Sequence, residues 1–171
     1  MTMKEKFSKH IFLSFSGKKN LACYFIVILI FVLDRISKIQ VIDNQLNNTQ
    51  IYINDFINFD LIWNTGVGFG FLSTTTSLVY NIITAIIGFV IIFMIYLQIK
   101  SLFIEKLFFS LVIGGALGNF YDRITLYAVP DFIDIHYKSF HWFTFNVADI
   151  FITVGIIMLL SKEILSKDEK N

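Results

Sequence analysis

The sequence predicts an α-helical integral membrane protein, a four-transmembrane-helix bundle with a small extracytoplasmic β-sheet and an extracytoplasmic segment between helices 3 and 4. Of its 171 residues, 56% are hydrophobic and 16% are charged, whereas a soluble domain carries about 25% charged residues. Four apolar runs approach the roughly 20 residues needed to cross the hydrocarbon core. The costly polar residues also gather at the same ends of these runs, as expected of a bundle with one functional face.

The apolar runs belong to one predicted membrane domain that occupies residues 1–171. A tail at 1–20 precedes the first run, and no small-residue cleavage site follows that run, so we expect it to be retained. The third run contains GGALGN at 114–119, which is typical of a helix face that packs closely. The predicted spans are residues 21–41, 78–97, 102–121 and 146–165.

The distribution of lysine and arginine predicts an orientation, because cytoplasmic loops are enriched in these residues. The tail 1–20, the loop 98–106 and the C-terminal tail together carry ten of them, and the opposite side carries four. Both termini are therefore predicted to be cytoplasmic. The longer loops, 42–77 and 122–145, then face outward.

Both outer loops carry structural signals of their own. Residues 51–64 alternate approximately, with Phe59, Leu61 and Trp63 on one side, which predicts a strand of a small sheet at the membrane surface. Residues 131–145 are rich in aromatic side chains, which is typical of an interfacial segment.

Composition also excludes several classes of protein. The single cysteine, Cys23, rules out an intramolecular disulfide framework and a cysteine-based zinc site, and it is predicted to be a small apolar residue of the first helix. The lysines lie in tails rather than on one folded face, so no nucleic-acid partner is expected.

Polar residues collect where the spans meet the outer face. Asp34 and Lys38 lie four residues apart, on one helix face, and predict a helix-end ion pair whose lysine extends to the interface. Arg123 is explained equally well by pairing with Asp122 or with lipid phosphate. The remaining polar and glycine positions at this level are Asn64, Gly66, Asn119, Asp131, Asp134, Asn146 and Asp149.

Asp131 and Asp149 are the hardest of these residues to explain by structure alone. Two neighbouring carboxylates in a low-dielectric site share one proton, and such a pair acts as general base and general acid. An ion or proton path explains the pair equally well at this stage. A metal site formed by Asp131, Asp134, His136 and His141 is chemically possible but matches no strong template, and we expect no metal.

Five ordered motifs between residues 30 and 160 resemble those of the lipoprotein signal peptidases, or signal peptidase II. They are DRISK (34–38), NTGVGFG (64–70), GGALGNFYDR (114–123), VPDFID (129–134) and FNVAD (145–149). The resemblance implies a bacterial membrane aspartyl endopeptidase that cleaves diacylglyceryl-modified prolipoproteins just before the lipidated cysteine. It implies Asp131 and Asp149 as the catalytic pair and Asp34 and Lys38 as structural support. The implied substrate-binding or supporting residues are Asn64, Gly66, Asn119, Asp122, Arg123, Asn146 and Ala148.

The resemblance further implies a multi-pass protein of the bacterial cytoplasmic (inner) membrane, with its active site at the outer face and with sensitivity to globomycin. Prolipoprotein substrates and membrane lipid are the implied partners, with no cofactor and no metal. Pro130 departs from the family, where valine is usual, and it stiffens the approach to Asp131.

Two kinds of alternative function stay open from the sequence. A small membrane transporter or ion-conducting subunit would use the outer carboxylate cluster, but it would spread charges through the membrane depth, and residues 61–99 carry none. A non-catalytic scaffold leaves the gathering of asparagine and aspartate unexplained. A different intramembrane aspartyl protease would require a Gly-x-Gly-Asp motif, which the sequence lacks.

Overall fold

The computed structural model describes residues 18–45, 51–66 and 77–168. The helices are α1 (Lys18–Gln45), α2 (Ser77–Lys100), α3 (Phe103–Thr125) and α4 (Val147–Asp168). The strands are β1 (Ile51–Asn54), β2 (Ile57–Asn64), β3 (Val129–Tyr137) and β4 (Phe140–Phe145). Each predicted apolar run is therefore confirmed as a helix, and all four helices extend a few residues beyond their predicted C-terminal ends.

Two of the described helices are long and apolar enough to cross a membrane, Leu78–Lys100 and Phe103–Thr125. The first of them is scarcely covered by the rest of the protein, since Phe89 and Ile92 are 70% and 66% exposed. An apolar helix with so much exposed surface needs lipid or a partner against it. That α1 and α4 also cross the membrane stays a prediction.

Helix α3 is central, because it packs against α1, α2 and α4. Its small residues allow the close approach. A Cβ atom on Gly115 would lie 2.5 Å from the carbonyl oxygen of Ala148, and one on Gly118 would lie 2.5 Å from Oδ2 of Asp34. The close packing predicted from residues 114–119 is thus confirmed. Cys23 is buried in α1, as predicted.

The strands form one antiparallel sheet in the order β1-β2-β3-β4. The predicted strand at 51–64 is therefore a hairpin of two strands, and its alternation is interrupted where the β2–β3 register shifts between Phe59 and Ile62. The aromatic segment 131–145 is also more regular than expected, since it supplies most of β3 and β4. Helix α3 continues to Thr125, so the predicted loop 122–145 begins four residues too early.

Two connections position the polar residues. Strand β2 pairs with β3 so that Asn64 lies opposite Val129 and Ile62 opposite Asp131, which brings Asn64 to the side of Asp131. Strand β4 ends at Phe145 and α4 begins at Val147, so one residue, Asn146, joins the sheet to the last helix.

Candidate active site

Asp131 lies on β3 and is 3% exposed. Asn64 donates to its Oδ2 through Nδ2 at 2.8 Å, and Asn146 donates to its Oδ1 through Nδ2 at 2.6 Å. The Oδ1 atom of Asn64 accepts the backbone N–H of Gly66 at 2.8 Å. Because that bond fixes the Asn64 amide, its donor end faces the carboxylate. Residues 67–70 of the same motif lie outside the described residues.

Asp149 lies in the first turn of α4, where it forms a reciprocal cap with Asn146. The Asn146 Oδ1 atom accepts the N–H of Asp149 at 3.1 Å, and Oδ2 of Asp149 accepts the N–H of Asn146 at 3.1 Å. This arrangement satisfies two backbone donors at the helix start. The other carboxylate oxygen, Oδ1, accepts Nδ2 of Asn119 at 2.8 Å. Asn146 therefore contacts both carboxyl groups.

A buried ion-pair network lies behind Asp149. Lys38 donates through Nζ to Oδ2 of Asp34 at 2.7 Å, to Oδ1 of Asn119 at 2.8 Å and to Oδ2 of Asp122 at 2.7 Å. Oδ1 of Asp34 accepts the N–H of Ala148 at 3.0 Å, a further donor at the start of α4. The predicted Asp34–Lys38 pair is confirmed. Its expected extension to the interface is wrong, because both side chains are fully buried.

This network also orients Asn119. Lys38 occupies Oδ1 of the Asn119 amide, so its Nδ2 is the end that reaches Asp149. Arg35 pairs with the second oxygen of Asp122. The positive charges of Lys38 and Arg35 then balance the negative charges of the two aspartates of this network, in a buried site where an uncompensated charge is costly. Sequence reasoning did not single out Arg35, although its spacing of three residues from Lys38 places both on one helix face.

Arg123 is held close to the carboxylates from two sides. Its Nη2 donates to the carbonyl oxygen of Gly66, and its guanidinium carbon lies 5.7 Å from the ring centre of Tyr80, whose hydroxyl donates to the Arg123 carbonyl at 2.9 Å. The alternative in which Arg123 pairs with Asp122 is wrong, since Lys38 and Arg35 occupy both oxygens. Among the described residues, Nη1 is buried and has no hydrogen-bond partner. Tyr80 was missed, and its one signal was a hydroxyl in an apolar run.

A cavity of about 240 Å³ connects these groups. Five of the residues predicted from the sequence line this cavity, together with four apolar residues. Of the other predicted residues, Asn146 bridges the two carboxyl groups, Gly66 anchors Arg123, and Asp34, Lys38, Asp122 and Ala148 form the supporting network. The lining residues are Asn64, Asn119, Arg123, Asp131, Asp149, Ile87, Ala116, Val129 and Ile152.

The electrostatics let Asp131 carry a proton at mildly acidic pH. Burial and, to a smaller extent, the neighbouring Asp149 carboxylate raise the pKa of Asp131 to about 6 against the hydrogen bonds from Asn64 and Asn146, which lower it. Groups coupled in this way titrate as a pair rather than singly. With one proton between them, two carboxyl groups offer a general base and a general acid in one cavity.

Residues 26–165 match the family model described as signal peptidase (SPase) II. The chain belongs to the signal peptidase II family. A lipoprotein signal peptidase of Pelagibacter ubique (strain HTCC1062) is 46% identical over 147 residues, which cover 85% of this chain and 89% of that protein. One of Anaplasma phagocytophilum (strain HZ) is 32% identical and covers 90% and 99%, and one of Coxiella burnetii (strain Dugway 5J108-111) is 35% identical and covers 90% and 96%.

Solved structures agree with this membership. A bacterial membrane enzyme determined by the in meso method at 2.3 Å resolution has a TM-score of 0.75 and 27% identity, and the likeness covers 88% of this chain and 92% of that one. A second, at 1.9 Å resolution, has a TM-score of 0.64 and 28% identity. The sequence resemblance is confirmed, and the family is one of bacterial membrane peptidases, which are hydrolases. The transporter alternative receives no support from these comparisons.

Proposed function

We propose that this chain is a membrane aspartyl endopeptidase that removes signal peptides from diacylglyceryl-modified prolipoproteins, cutting before the lipidated cysteine. The observation that carries this proposal is the placement of Asn146, whose side chain binds the carboxyl group of Asp131 while its backbone and side chain bind Asp149. The two carboxyl groups are thereby held at one cavity, although one comes from the sheet and the other from a helix.

In the proposed reaction, the pair starts with one proton. The ionised carboxyl group takes a proton from water as the water oxygen adds to the scissile carbonyl carbon, and the protonated group gives its proton to the carbonyl oxygen. The resulting tetrahedral intermediate collapses as a proton passes to the nitrogen and the C–N bond breaks. The products are the carboxyl end of the signal peptide and a lipidated cysteine with a free amino group. The step uses no metal and no organic cofactor.

Arg123 is proposed to bind the substrate rather than to transfer a proton. A guanidinium stays charged and presents several donors in a fixed fork. Because Gly66 engages only Nη2, the buried Nη1 remains for a carbonyl oxygen of the substrate backbone or of its lipid esters. Replacing Arg123 with lysine keeps a donor for Gly66 and removes the second one. Since a hydrogen bond to a charged group contributes about 1.5–3 kcal/mol, we expect kcat/KM to fall by about tenfold or more in a cleavage assay, with the pH profile unchanged.

The proposed membrane placement has all four helices spanning, both termini in the cytoplasm and the sheet outside, in the bacterial inner membrane. The lysine-rich ends of the chain support it, as do the exposed apolar side chains along α1 and α4, such as Leu21, Phe25, Leu160 and Ile164. The cavity then lies where α3 and α4 meet the sheet, at the outer boundary to which the acyl chains of a lipidated substrate would anchor the scissile bond. The whole chain, 1–171, is proposed to act as one domain.

The test is cleavage of a purified diacylglyceryl-prolipoprotein in detergent by the wild type and by Asp131→Asn and Asp149→Asn. Each substitution removes one of the two proton-transferring groups, so each is expected to abolish cleavage. Asp60→Asn is the matched control, because Asp60 lies on the sheet and does not line the cavity. Circular dichroism and gel filtration check that each variant is folded.

Three outcomes would contradict the proposal. Cleavage by both folded aspartate variants would refute the dyad. Loss of wild-type cleavage in a chelator, with the protein still folded, would point to a metal-dependent reaction. A wild type that never cuts, while it moves ions across reconstituted vesicles, would return the transporter alternative.

A further inference from the structure

A second polar cluster lies on the sheet, away from the proposed dyad. Asp134 and His136 are two residues apart on β3, and His141 on β4 is the register partner of His136. The pairing of β3 shifts register once with each neighbouring strand, and in both places the extra residue lies in the neighbour, β2 or β4. Strand β3 itself has no bulge, so its side chains alternate regularly between the two faces of the sheet. Asp134, His136 and His141 therefore share one face, whereas Asp131 faces the other way. The four-residue metal site considered from the sequence therefore cannot form as a unit, because Asp131 lies on the other face.

The three remaining side chains are close enough to bind one ion. One ligand atom from each lies within 4.8 Å of the other two. Nδ1 of His141 is 2.7 Å and Nδ1 of His136 is 3.6 Å from the same oxygen, Oδ2 of Asp134. Ligands about 2.1 Å from a tetrahedral zinc ion lie roughly 3.4 Å apart. The second distance already fits that value, and the first reaches it through a small rotation of the half-exposed His141.

Two buried atoms beside this cluster lack hydrogen-bond partners among the residues that the structure describes. They are Nδ1 of His136, a residue only 6% exposed, and Oδ1 of Asn58. Asn58 lies opposite Asp134 in the β2–β3 register, and its Nδ2 approaches Nε2 of His136 at 3.4 Å. Buried polar atoms without partners are rare in folded proteins. The buried Nδ1 atom of His136 therefore needs an explanation, and it lies 3.6 Å from Oδ2 of Asp134.

A bound metal ion accounts for the unpartnered Nδ1 atom of His136. With the nitrogen and oxygen of the Asn58 amide exchanged, Nε2–H of His136 donates to Oδ1 of Asn58. The proton is then fixed on Nε2, and the lone pair of Nδ1 points to the cluster. Metal-binding histidines regularly donate their other ring N–H to an oxygen in this way.

We propose that Asp134, His136 and His141 bind one Zn²⁺ ion on the outer hairpin, with Asn58 orienting His136. Two imidazole nitrogens and a carboxylate oxygen suit Zn²⁺, and water completes a tetrahedral set. The exposed His141 provides the entry path. Because the cluster lies on the face of β3 opposite Asp131, the ion clamps β3 to β4 and takes no part in peptide-bond cleavage. The site does not depend on the proposed peptidase reaction.

The test is Zn²⁺ binding to the full chain in detergent, measured by calorimetry and by metal analysis after dialysis. We expect one equivalent to bind to the wild type and to raise its Tm, and His141→Gln and Asp134→Asn each to weaken binding by at least about tenfold. Co²⁺ bound at the same site should give the absorption bands of tetrahedral coordination. His10→Gln is the matched control, because His10 is the third histidine of the sequence and the proposed site does not use it.

Asp131→Asn separates this proposal from the proposed reaction, since that variant should lose cleavage and keep Zn²⁺ binding. The site would be refuted if the wild type bound no Zn²⁺ at micromolar concentration. It would also be refuted if His10→Gln lowered the affinity as much as His141→Gln did, or if Co²⁺ gave an octahedral spectrum.

Discussion

Replacing Asn64 with alanine should extend cleavage to more alkaline pH. Asn64 donates a 2.8 Å hydrogen bond to Asp131 and thereby stabilises the ionised carboxylate. That bond lowers the pKa of Asp131, whose value of about 6 already reflects it. Without the donor, the ionised form loses a partner and the protonated form does not, so the pKa of Asp131 must rise. The pair then keeps its shared proton to a higher pH.

The magnitude follows from the strength of that one bond. A hydrogen bond to a charged group contributes about 1.5–3 kcal/mol, and each pH unit of displacement corresponds to about 1.4 kcal/mol. We therefore expect the alkaline midpoint of the kcat/KM profile to move upward by roughly one to two pH units. The bond from Asn146 to the other oxygen remains and still holds the carboxyl group in place.

The assay is kcat/KM for a diacylglyceryl-prolipoprotein in detergent, measured between pH 4 and pH 10 for the wild type and Asn64→Ala. Asn58→Ala serves as the control, because it removes the same kind of side chain from the same strand and Asn58 contacts His136 instead. Its alkaline midpoint should match that of the wild type. A folded, active Asn64→Ala enzyme whose midpoint stays unchanged or falls would refute the placement of Asp131 in the reaction.

Three further predictions concern stability. Lys38→Met strips two buried carboxylates of their shared cation, so the free energy of unfolding measured by denaturant should fall by about 3–5 kcal/mol. Gly118→Ala places a Cβ atom 2.5 Å from Oδ2 of Asp34 and should lower the Tm more than Gly88→Ala, whose nearest neighbour is a ring atom at 3.1 Å that is free to shift. Because the folded pKa of Asp131, about 6, exceeds its ordinary value of 3.8, the free energy of unfolding should fall as pH rises through that interval, and Asp131→Asn should flatten this dependence.

Each of these predictions has a contrary result. A Lys38→Met variant that unfolds within about 1 kcal/mol of the wild type would mean that water or protonation compensates the two carboxylates. Equal Tm values for the two glycine variants would contradict the tight α1–α3 contact. If the free energy of unfolding changed with pH between pH 4 and pH 6 in the same way for the wild type and for Asp131→Asn, the raised pKa of Asp131 would be contradicted.

The sequence predicted the helices and five of the residues that line the cavity because both depend on strong, local signals. Long apolar runs have few alternatives to a helix in a bilayer, and polar residues next to such runs mark positions with a special role. The small residues at 114–119 likewise predicted the close packing of α3. Asp131 and Asp149 were selected because a structural role explained them least well and because the family resemblance implied them as the catalytic pair.

The sheet and the partners within the polar network could not be read in the same way. Register depends on pairing between distant segments, and the shift between Phe59 and Ile62 has no marker such as glycine at that position. Asp122 pairs with Lys38 and Arg35 rather than with its neighbour Arg123 because helices α1 and α3 cross there. Such a choice depends on helix packing, which adjacency in the sequence does not encode.

The way in which Asp131 and Asp149 are held together has a consequence for biosynthesis. Their amide partners come from β2, α3 and the β4–α4 junction, and the supporting lysine comes from α1. Helix α4 supplies Asp149 and leaves the ribosome after α1, α2 and α3, so a chain inserted only as far as α3 lacks one of the two carboxyl groups. The proposed proteolytic centre therefore stays inactive until α4 has joined the other segments.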